Sequence, residues 1–486
     1  MPRGSRIAVL AVAAAGGLAV LSLASGAGGD LDTSFGEGGK VVTALGASAI
    51  ATSLGIQPDG NIVVAGNVSG AGPVLVRYRP DGRLDRDFGN GGSVSTVGLR
   101  LAVQRDGAIV VAGVVAGDVT VARHRPDGSL DRTFGNGGIV RTDLGGAESP
   151  VPGGSVLVRP DGRLVVVTSS GRDGVSRLAL ARYRRDGSLD PSFGSGGRVV
   201  AVDAGAVAGS LAPGGKLVVL GLRTRETAQG TCCVLDRLVL ARFTSRGTLD
   251  RSFAGDGIAT ADAPRDGAAA PRAVAVQRDG KIVVAAEGIE GNVYGLLRYR
   301  ANGSLDRGFG KSVMRHVGDF PVYATRAIAL DARDRIVLAG SGPDTFDAFA
   351  VARVTRAGRL DERFGGGVVT TYFGRAADAF AAAVQRDGMV VAAGWQSATE
   401  RRLGAPDSTF ALARYLPSTC HVPRVVGKSL RAAARAVRRR NCVLTASRAF
   451  SRRVPRGRVI RQRPSAARVV PDHRSVAVLV SRGPRR

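Results

Sequence analysis

The stretch "RPDGSLDRTFGNGG" at residues 125–138 contains the pattern that decides the fold of this chain. It joins an Asp-Gly turn to a Leu-Asp-x-x-Phe motif and a glycine-rich run. Asp followed by Gly favours tight turns, because glycine reaches positive φ angles without steric cost. In isolation the stretch fits a glycine-rich ligand loop, a calcium loop or a structural joint, and its recurrence along the chain decides between them.

The Leu-Asp-x-x-Phe motif occurs seven times, and successive copies start 46 to 60 residues apart, at Leu31, Leu84, Leu130, Leu189, Leu249, Leu305 and Leu360. A repeat of that period indicates a repeat architecture. Each unit also holds four short runs rich in Val and Ile, such as "NIVVAG" at residues 61–66, between turn residues. These runs are typical of strands. The 69 glycines and 5% aromatic content agree with many short strands joined by turns.

The chain is therefore predicted to be all-β, with a seven-bladed β-propeller of four-stranded repeats over residues 30–416. An open β-solenoid is the alternative. In six units an arginine on the last strand stands eight residues before the aspartate of the next motif: Arg77 and Asp85, Arg123 and Asp131, Arg182 and Asp190, Arg242 and Asp250, Arg298 and Asp306, Arg353 and Asp361. We interpret these as structural ion pairs, and the motif as the joint between one blade's last strand and the next blade's first.

The seventh arginine, Arg414, has no such motif after it, because the chain continues into a basic tail. Its missing partner exists only at the other end of the repeat region, as Asp32. The ring is therefore predicted to close by the N-terminal segment completing the last unit, with Asp32 beside Arg414. An open solenoid would leave these two residues far apart.

The sequence pattern of the repeat resembles that of a known family. "AVQRDGKIVVAA" at residues 275–286 and "FALARY" at residues 410–415, together with the LDxxFG motif, are similar to the delta-60 repeat, a bacterial repeat of exported proteins. The resemblance implies a propeller fold and no particular biochemical activity.

Residues 1–27 have the three-part layout of a secretory signal peptide: Arg3 and Arg6, an uncharged run, and small residues from Ala24 onward. An uncleaved membrane anchor is the alternative. We expect the protein to be secreted, extracellular or cell-wall associated, with no transmembrane segment beyond this run.

The C-terminal tail from residue 420 carries nineteen Lys or Arg and one acid, Asp472, so it holds +18 of the net charge of +28. Export permits disulfides, and Cys420 with Cys442 would enclose a predicted helix and stabilise the tail by about 3 kcal/mol. Three interpretations remain for Cys232 and Cys233: a vicinal disulfide, a reactive pair, or two small hydrophobic residues.

The tail is similar to a PASTA domain, through "VPRVVGKSLRAA" at residues 422–433, "VPRGRVIRQRPSA" at 454–466 and "SVAVLVSRGP" at 475–484. The resemblance implies a small α/β domain over residues 420–486 that binds peptidoglycan or muropeptides. The arginine density leaves charge attraction to anionic wall polymers as an alternative. Nucleic acid is disfavoured, because Phe450 alone could stack on bases.

No catalytic residue, cofactor or metal site is predicted. The chain lacks GxSxG, HExxH and SxxK motifs, its glycine runs precede strands, and its aspartates lack the order of a calcium loop. Trp395 suits sugar stacking or the core, with the core as the default. We expect an exported cell-envelope binding or scaffold protein whose propeller is the interaction platform for a protein or glycan ligand. A wall-associated enzyme, a hydrolase or lyase on polysaccharide or peptide, is the alternative.

Overall fold

The computed structural model describes residues 28–46, 48–148, 154–172, 175–225, 234–262, 270–287, 294–309, 324–342, 347–399, 405–438, 442–471 and 475–484. The predicted signal peptide, Cys232 and Cys233 lie outside these residues. Of the helices the structure describes, none is long and apolar enough to cross a membrane.

The first strand, β1 (Lys40–Thr43), belongs to the last blade and is placed below. Blades 1 to 4 follow in chain order. Blade 1 contains β2 (Ala49–Ile56), β3 (Ile62–Val68), β4 (Gly72–Tyr78) and β5 (Ser93–Ser95). Blade 2 contains β6 (Arg100–Val103), β7 (Ile109–Val115), β8 (Asp118–His124) and β9 (Ile139–Thr142). Blade 3 contains β10 (Ala147–Glu148) and β11 (Ser155–Val158), both paired with β12 (Leu164–Arg172), then β13 (Val175–Tyr183) and β14 (Arg198–Ala201). Blade 4 contains β15 (Gly205–Ala212), β16 (Lys216–Arg225), β17 (Val234–Phe243) and β18 (Ile258–Asp262), with a 3₁₀ turn at Pro213–Gly215.

Blade 5 has three strands within the described residues, β19 (Ala270–Val276), β20 (Ile282–Glu287) and β21 (Tyr294–Tyr299). Blade 6 contains β22 (Ala324–Leu330), β23 (Ile336–Ser341), β24 (Ala348–Val354) and β25 (Val368–Tyr372), with a 3₁₀ turn at Gly365–Gly367 before β25. Blade 7 contains β26 (Ala376–Val384), β27 (Val390–Ser397) and β28 (Thr409–Tyr415), and its outer strand is β1 from the start of the chain.

The seven sheets form a closed ring. The inner strands of neighbouring blades contact each other in sequence around the molecule, and β26 of the last blade contacts β2 of the first. β1 pairs with β28 in antiparallel register, Lys40 opposite Ala413 and Thr43 opposite Phe410. Closure leaves no open end for a solenoid, so the predicted β-propeller is confirmed.

The position of the Leu-Asp-x-x-Phe motif within a blade differs from the prediction. Leu130 forms a bridge back to His124, and the chain then enters β9, which pairs with β8 of the same blade. The motif therefore joins the third strand to the outer strand of one blade, and the prediction of a joint between blades is wrong. The sequence repeat and the blade are therefore offset by one strand. The reason is the Asp-Gly turn, after which the chain reverses and pairs with the strand that precedes the turn.

At the closure two segments far apart in the sequence together form a turn that one continuous segment forms in blade 1. In blade 1 the Gly82 amide donates to the Arg79 carbonyl over 2.9 Å, and the Arg79 amide donates to the Arg83 carbonyl over 2.8 Å. In blade 7 the Gly29 amide donates to the Leu416 carbonyl over 3.0 Å, and the Leu416 amide to the Asp30 carbonyl over 2.8 Å. The chain therefore leaves the propeller for its C-terminal module at this turn, which two separate segments form.

The motif phenylalanines fill the space between blades. Six are fully buried and Phe309 is nearly so, the set being Phe35, Phe88, Phe134, Phe193, Phe253, Phe309 and Phe364. Gly128 of blade 2 has a φ of +91°, and a Cβ atom there would lie 2.8 Å from the ring of Phe88 in blade 1. The repeated Asp-Gly turn therefore needs glycine both for its backbone angle and for its contact with the preceding blade.

A tyrosine at the end of the third strand bonds a threonine on the outer strand of the preceding blade in three places. The hydroxyl–hydroxyl distances are 2.9 Å for Tyr78 and Thr43, 2.8 Å for Tyr183 and Thr142, and 2.9 Å for Tyr415 and Thr371. The buried Tyr299 hydroxyl has no hydrogen-bond partner among the residues that the structure describes, and the matching register position on β18 is Ala261.

We expect Ala261→Thr to raise the free energy of unfolding by about 0.5–1.5 kcal/mol, because it supplies the missing hydrogen-bond partner of Tyr299. Urea denaturation measures the change. Ala261→Val is the matched control, since it adds similar bulk without a hydroxyl, and Thr142→Ala should destabilise by about 1–3 kcal/mol by stranding Tyr183. Equal effects of Ala261→Thr and Ala261→Val would contradict the hydrogen-bond explanation.

Candidate functional site

The structure brings all seven predicted arginine–aspartate pairs together in the propeller. The shortest nitrogen–oxygen distances are 2.7 Å for Arg77 and Asp85, 2.7 Å for Arg123 and Asp131, 2.9 Å for Arg182 and Asp190, 2.8 Å for Arg242 and Asp250, 2.7 Å for Arg298 and Asp306, 3.0 Å for Arg353 and Asp361, and 2.6 Å for Arg414 and Asp32. Each guanidinium also lies over the motif phenylalanine of its own blade, 4.1 to 4.7 Å from the ring centre. This cation–π geometry holds the guanidinium between its aspartate and the core.

The same arginines reach across to the next blade. Arg77 donates to the Pro126 carbonyl, and Arg414 donates across the closure to the Pro80 carbonyl. Arg353 of blade 6 donates instead to the Ser418 hydroxyl, which in turn donates to the Arg363 carbonyl over 3.0 Å. The first residues after the propeller are therefore fixed by the contact that elsewhere joins two blades.

Burial and hydrogen bonding act against each other at these aspartates. Desolvation by burial works to raise the pKa of Asp131, but hydrogen bonds from Thr133 and the charge of Arg123 outweigh it, and the pKa is lowered. The pKa of Asp32 is likewise lowered by Ser34 and Arg414 against the effect of burial. The carboxylates are thus held ionised, as their ion pairs require.

His124 replaces the repeated tyrosine in blade 2. Its Nε2 lies 3.1 Å from the Thr96 hydroxyl and its Nδ1 lies 3.0 Å from the Gly128 carbonyl, and the ring is buried. An open groove of roughly 620 Å³ runs beside it. Burial lowers the pKa of His124, although the bond to Gly128 works in the opposite direction.

We expect this histidine to make the propeller less stable in mild acid. A lowered folded-state pKa means that the unfolded chain takes up a proton first, below about pH 6.5, so the stability present above that pH is lost as the pH falls. His124→Tyr should remove this part of the pH dependence, which is at most about 1.4 kcal/mol per pH unit. Urea denaturation at pH 7.5 and 5.5 measures it, and identical pH dependence in both proteins would overturn the assignment.

The C-terminal module is a small α/β unit around one helix, α1 (Leu430–Arg438). β30 (Val443–Ala449) runs parallel to β33 (Ser475–Ser481), β31 (Val459–Arg463) pairs antiparallel with β33, and β29 (Thr419–His421) pairs with β32 (Val469–Pro471). The Ser429 hydroxyl accepts from the Ala432 amide over 3.3 Å at the start of α1. The disulfide between Cys420 and Cys442 is present, as predicted, and both cysteines are buried in the module core.

An open groove of roughly 860 Å³ crosses the module, and it is the strongest candidate binding surface that the residues build. Three exposed arginines line it, Arg448, Arg456 and Arg482, together with Phe450, whose side chain is 49% exposed. The Arg482 guanidinium lies 5.7 Å from the centre of the Phe450 ring. The described part of the module contains no acidic residue, since Asp472 lies outside it. Guanidinium groups beside an exposed ring can bind carboxylates or phosphates and stack on a ring of the ligand.

Other residues of the sequence analysis occupy structural positions. Trp395 on β27 is fully buried, so in this structure it packs in the core and offers no stacking face. Within the described ranges, no group of three or more His, Cys, Asp or Glu side chains is placed to hold a metal ion. Sequence reasoning missed the groove arginines as a set, because they come from three separated segments of an arginine-rich tail.

Fold and sites together define the class: a closed propeller built from one repeated unit, followed by a small basic module. Residues 57–88, 104–134, 159–193 and 277–309 match the family model described as "Domain of unknown function (DUF5122) beta-propeller", and residues 421–482 match the PASTA domain. The chain therefore carries DUF5122 β-propeller repeats and a C-terminal PASTA domain, and both resemblances expected from the sequence are confirmed.

Several solved structures are similar to this chain at low sequence identity. One described as a new family of polysaccharide lyase, PL25 ulvan lyase, is 12% identical, with 74% of this chain and 90% of that chain covered and a TM-score of 0.45. The polysaccharide lyase Uly1 is 10% identical, with 82% and 94% covered and a TM-score of 0.42. The PQQ-bound aldose sugar dehydrogenase from Streptomyces coelicolor is 13% identical, with 77% and 98% covered and a TM-score of 0.36. No curated protein matches the chain.

Proposed function

We propose that this protein is an exported cell-envelope binding or scaffold protein, with the PASTA domain holding it at the wall and the propeller as the interaction platform. The observation that carries the proposal is the groove of Arg448, Phe450, Arg456 and Arg482 on a module whose described residues include no acid. Peptidoglycan stems and anionic wall polymers supply the carboxylates or phosphates that such a groove binds.

The attachment of the module supports a display role for the propeller. Ser418 is fixed by Arg353 and Arg363 at the point where the chain leaves blade 7, so the module starts from a defined place on the ring. The enzymatic alternative needs carboxylates or histidines converging near the propeller axis. A cavity among the inner strands of four blades, which we call the axial cavity, is lined within the described residues by one arginine and by no carboxylate or histidine, and this supports binding over catalysis at that place.

Sedimentation with purified wall sacculi tests the proposal. We expect the full chain to pellet with sacculi and the chain ending at Pro417 to stay in solution. A variant carrying Arg448→Glu, Arg456→Glu and Arg482→Glu should lose at least tenfold in binding. A control variant with Arg424→Glu, Arg431→Glu and Arg435→Glu changes the charge equally outside the groove and should lose much less.

The salt dependence separates two modes of binding. Retention at high salt indicates a pocket that recognises wall fragments, whereas complete loss indicates charge attraction to anionic polymer. Equal losses in both triple variants would remove the groove from the proposal, and pelleting of the chain ending at Pro417 would refute the PASTA domain as the anchor.

A further inference from the structure

The inner strands carry one arginine that the repeat does not explain. Arg100 on β6 pairs with Ala112, the fourth residue of its second strand. In the other six blades the same register position is a small residue, the set being Ser53, Ser155, Ala208, Ala273, Ala327 and Ala381. The propeller therefore forms six times with Ser or Ala at this position, and the fold has no need of an arginine there.

Arg100 also differs from the other arginines of the inner strands. Arg326 on β22 pairs with Asp378 over 3.2 Å and lies 5.3 Å from the centre of the Phe380 ring, and Arg272 on β19 also has a partner. The Arg100 side chain has no hydrogen bond, ion pair or ring contact with any of the described residues. A confined cation without a counter-charge destabilises a fold, so its presence calls for a function.

Arg100 lines the axial cavity, which has a volume of about 270 Å³. Inner strands of four consecutive blades bound it through Thr52, Arg100, Ser155 and Phe380. The rest of its described wall is largely apolar, including Leu99, Val119, Val166 and Val167, and none of the described lining residues is acidic. Arg100 is partly buried, and desolvation lowers the pKa of its guanidinium.

Two glycines fix the wall that carries Arg100. A Cβ atom on Gly98 would lie 2.2 Å from the Ala112 carbonyl oxygen, and one on Gly113 would lie 2.5 Å from the Val97 carbonyl oxygen. The segment that leads into β6 can therefore approach β7 this closely only with glycine on both sides. The two glycines of blade 2 therefore specify the shape of this wall, and the cavity is not a gap left by loose packing.

We propose that this axial cavity binds a compact monocarboxylate, with the carboxylate on the Arg100 guanidinium and the body of the ligand against the apolar wall. A guanidinium fork matches a carboxylate in shape and charge. Apolar walls with one charged group are typical of small-molecule sites, and the volume lies near the lower end of their range of roughly 300–1,000 Å³. One ring or a short chain fits such a space. The proposal does not depend on the wall-binding role of the PASTA domain.

Isothermal titration calorimetry on the full chain tests it with two probes and their neutral counterparts. Phenylacetate represents a free apolar acid and is compared with phenylacetamide, while D-glucuronate represents an acidic sugar and is compared with D-glucose. We expect at least one carboxylate to bind with a millimolar or lower Kd and its neutral counterpart at least tenfold more weakly. The carboxylate that binds identifies the source of the ligand. Binding of neither would overturn the proposal.

Variants locate the binding. Arg100→Gln should abolish it, whereas Arg105→Gln, the same charge change at an exposed position after β6, should leave it unchanged. The Arg448→Glu, Arg456→Glu and Arg482→Glu variant should also keep it, which separates this site from the PASTA groove. Without ligand, Arg100→Gln should melt at the wild-type temperature or above. Unchanged binding in Arg100→Gln, or a melting temperature lowered by about 5 °C or more, would refute the site.

Discussion

Deleting residues 1–43 is expected to unfold the propeller, whereas deleting residues 1–27 should leave it folded. The longer deletion removes β1, the buried Phe35 and the aspartate that pairs with Arg414. Loss of a buried phenylalanine costs about 1.5–3 kcal/mol, and a buried charge left without its partner costs about 3–5 kcal/mol. These losses approach the whole stability of a typical domain, about 5–15 kcal/mol.

Urea denaturation followed by circular dichroism measures the effect, and a synthetic peptide of residues 28–43 added in trans should partly restore the folded signal. Asp32→Ala and Asp131→Ala are matched variants that each remove one ion pair, the first at the closure and the second within blade 2. Each should destabilise by about 3–5 kcal/mol, less than the deletion. If the chain starting at residue 44 unfolded at the wild-type urea concentration, β1 would not be what closes the ring.

Replacing both Cys420 and Cys442 by serine is expected to destabilise the PASTA domain by about 3 kcal/mol, because the disulfide closes a loop across a sequence separation of 22 residues. Both cysteines are buried beside Val422, Val425 and Val476, so two hydroxyls also enter an apolar core. A module of this size has little stability to spare, and we expect its unfolding to separate from that of the propeller.

Limited proteolysis measures this effect, since cleavage after the many arginines of the module should accelerate while the propeller fragment persists. The double Ala variant at the same positions separates loss of the disulfide from burial of the hydroxyls. Treatment of the wild type with a reductant should produce the same cleavage pattern. Equal cleavage rates in the wild type and the double Ser variant would mean that the disulfide contributes nothing to the stability of the module.

The sequence predicted the features that repeat. Seven copies of one motif gave the number of blades, and the absence of an eighth copy after Arg414 pointed to Asp32 as its partner, 382 residues away. This works because each copy carries the same local information: turn residues, a buried phenylalanine and an arginine at a constant distance from an aspartate. Comparing copies turns a weak local pattern into a strong one.

The sequence assigned the motif to the wrong place in the blade. Strand order along the chain looks the same whether a unit begins at the inner or the outer strand, so the repeat has no visible starting point. Only the pairing of β1 with β28, and of each outer strand with the strand before it, sets the phase. Hydrogen bonds between distant segments decide this, and local propensities do not encode them.

The two proposed binding surfaces can be recognised only in the tertiary structure. Arg100 stands in "GLRLAVQRDG" at residues 98–107, shortly before the repeated "AVQRDG", and the sequence does not distinguish it from other arginines. Its candidate role comes from the four blades that bound one cavity and from the absence of a side-chain partner among the described residues. Arg448, Arg456 and Arg482 look like any other arginines of the tail until β30, the turn before β31 and the end of β33 bring them together with Phe450 at one groove. By itself the sequence determined a closed ring of seven repeats with a disulfide-linked basic module, because these rest on residues at constant spacing. Which charges remain unpaired, and what surrounds them, was decided by packing between segments far apart in the chain.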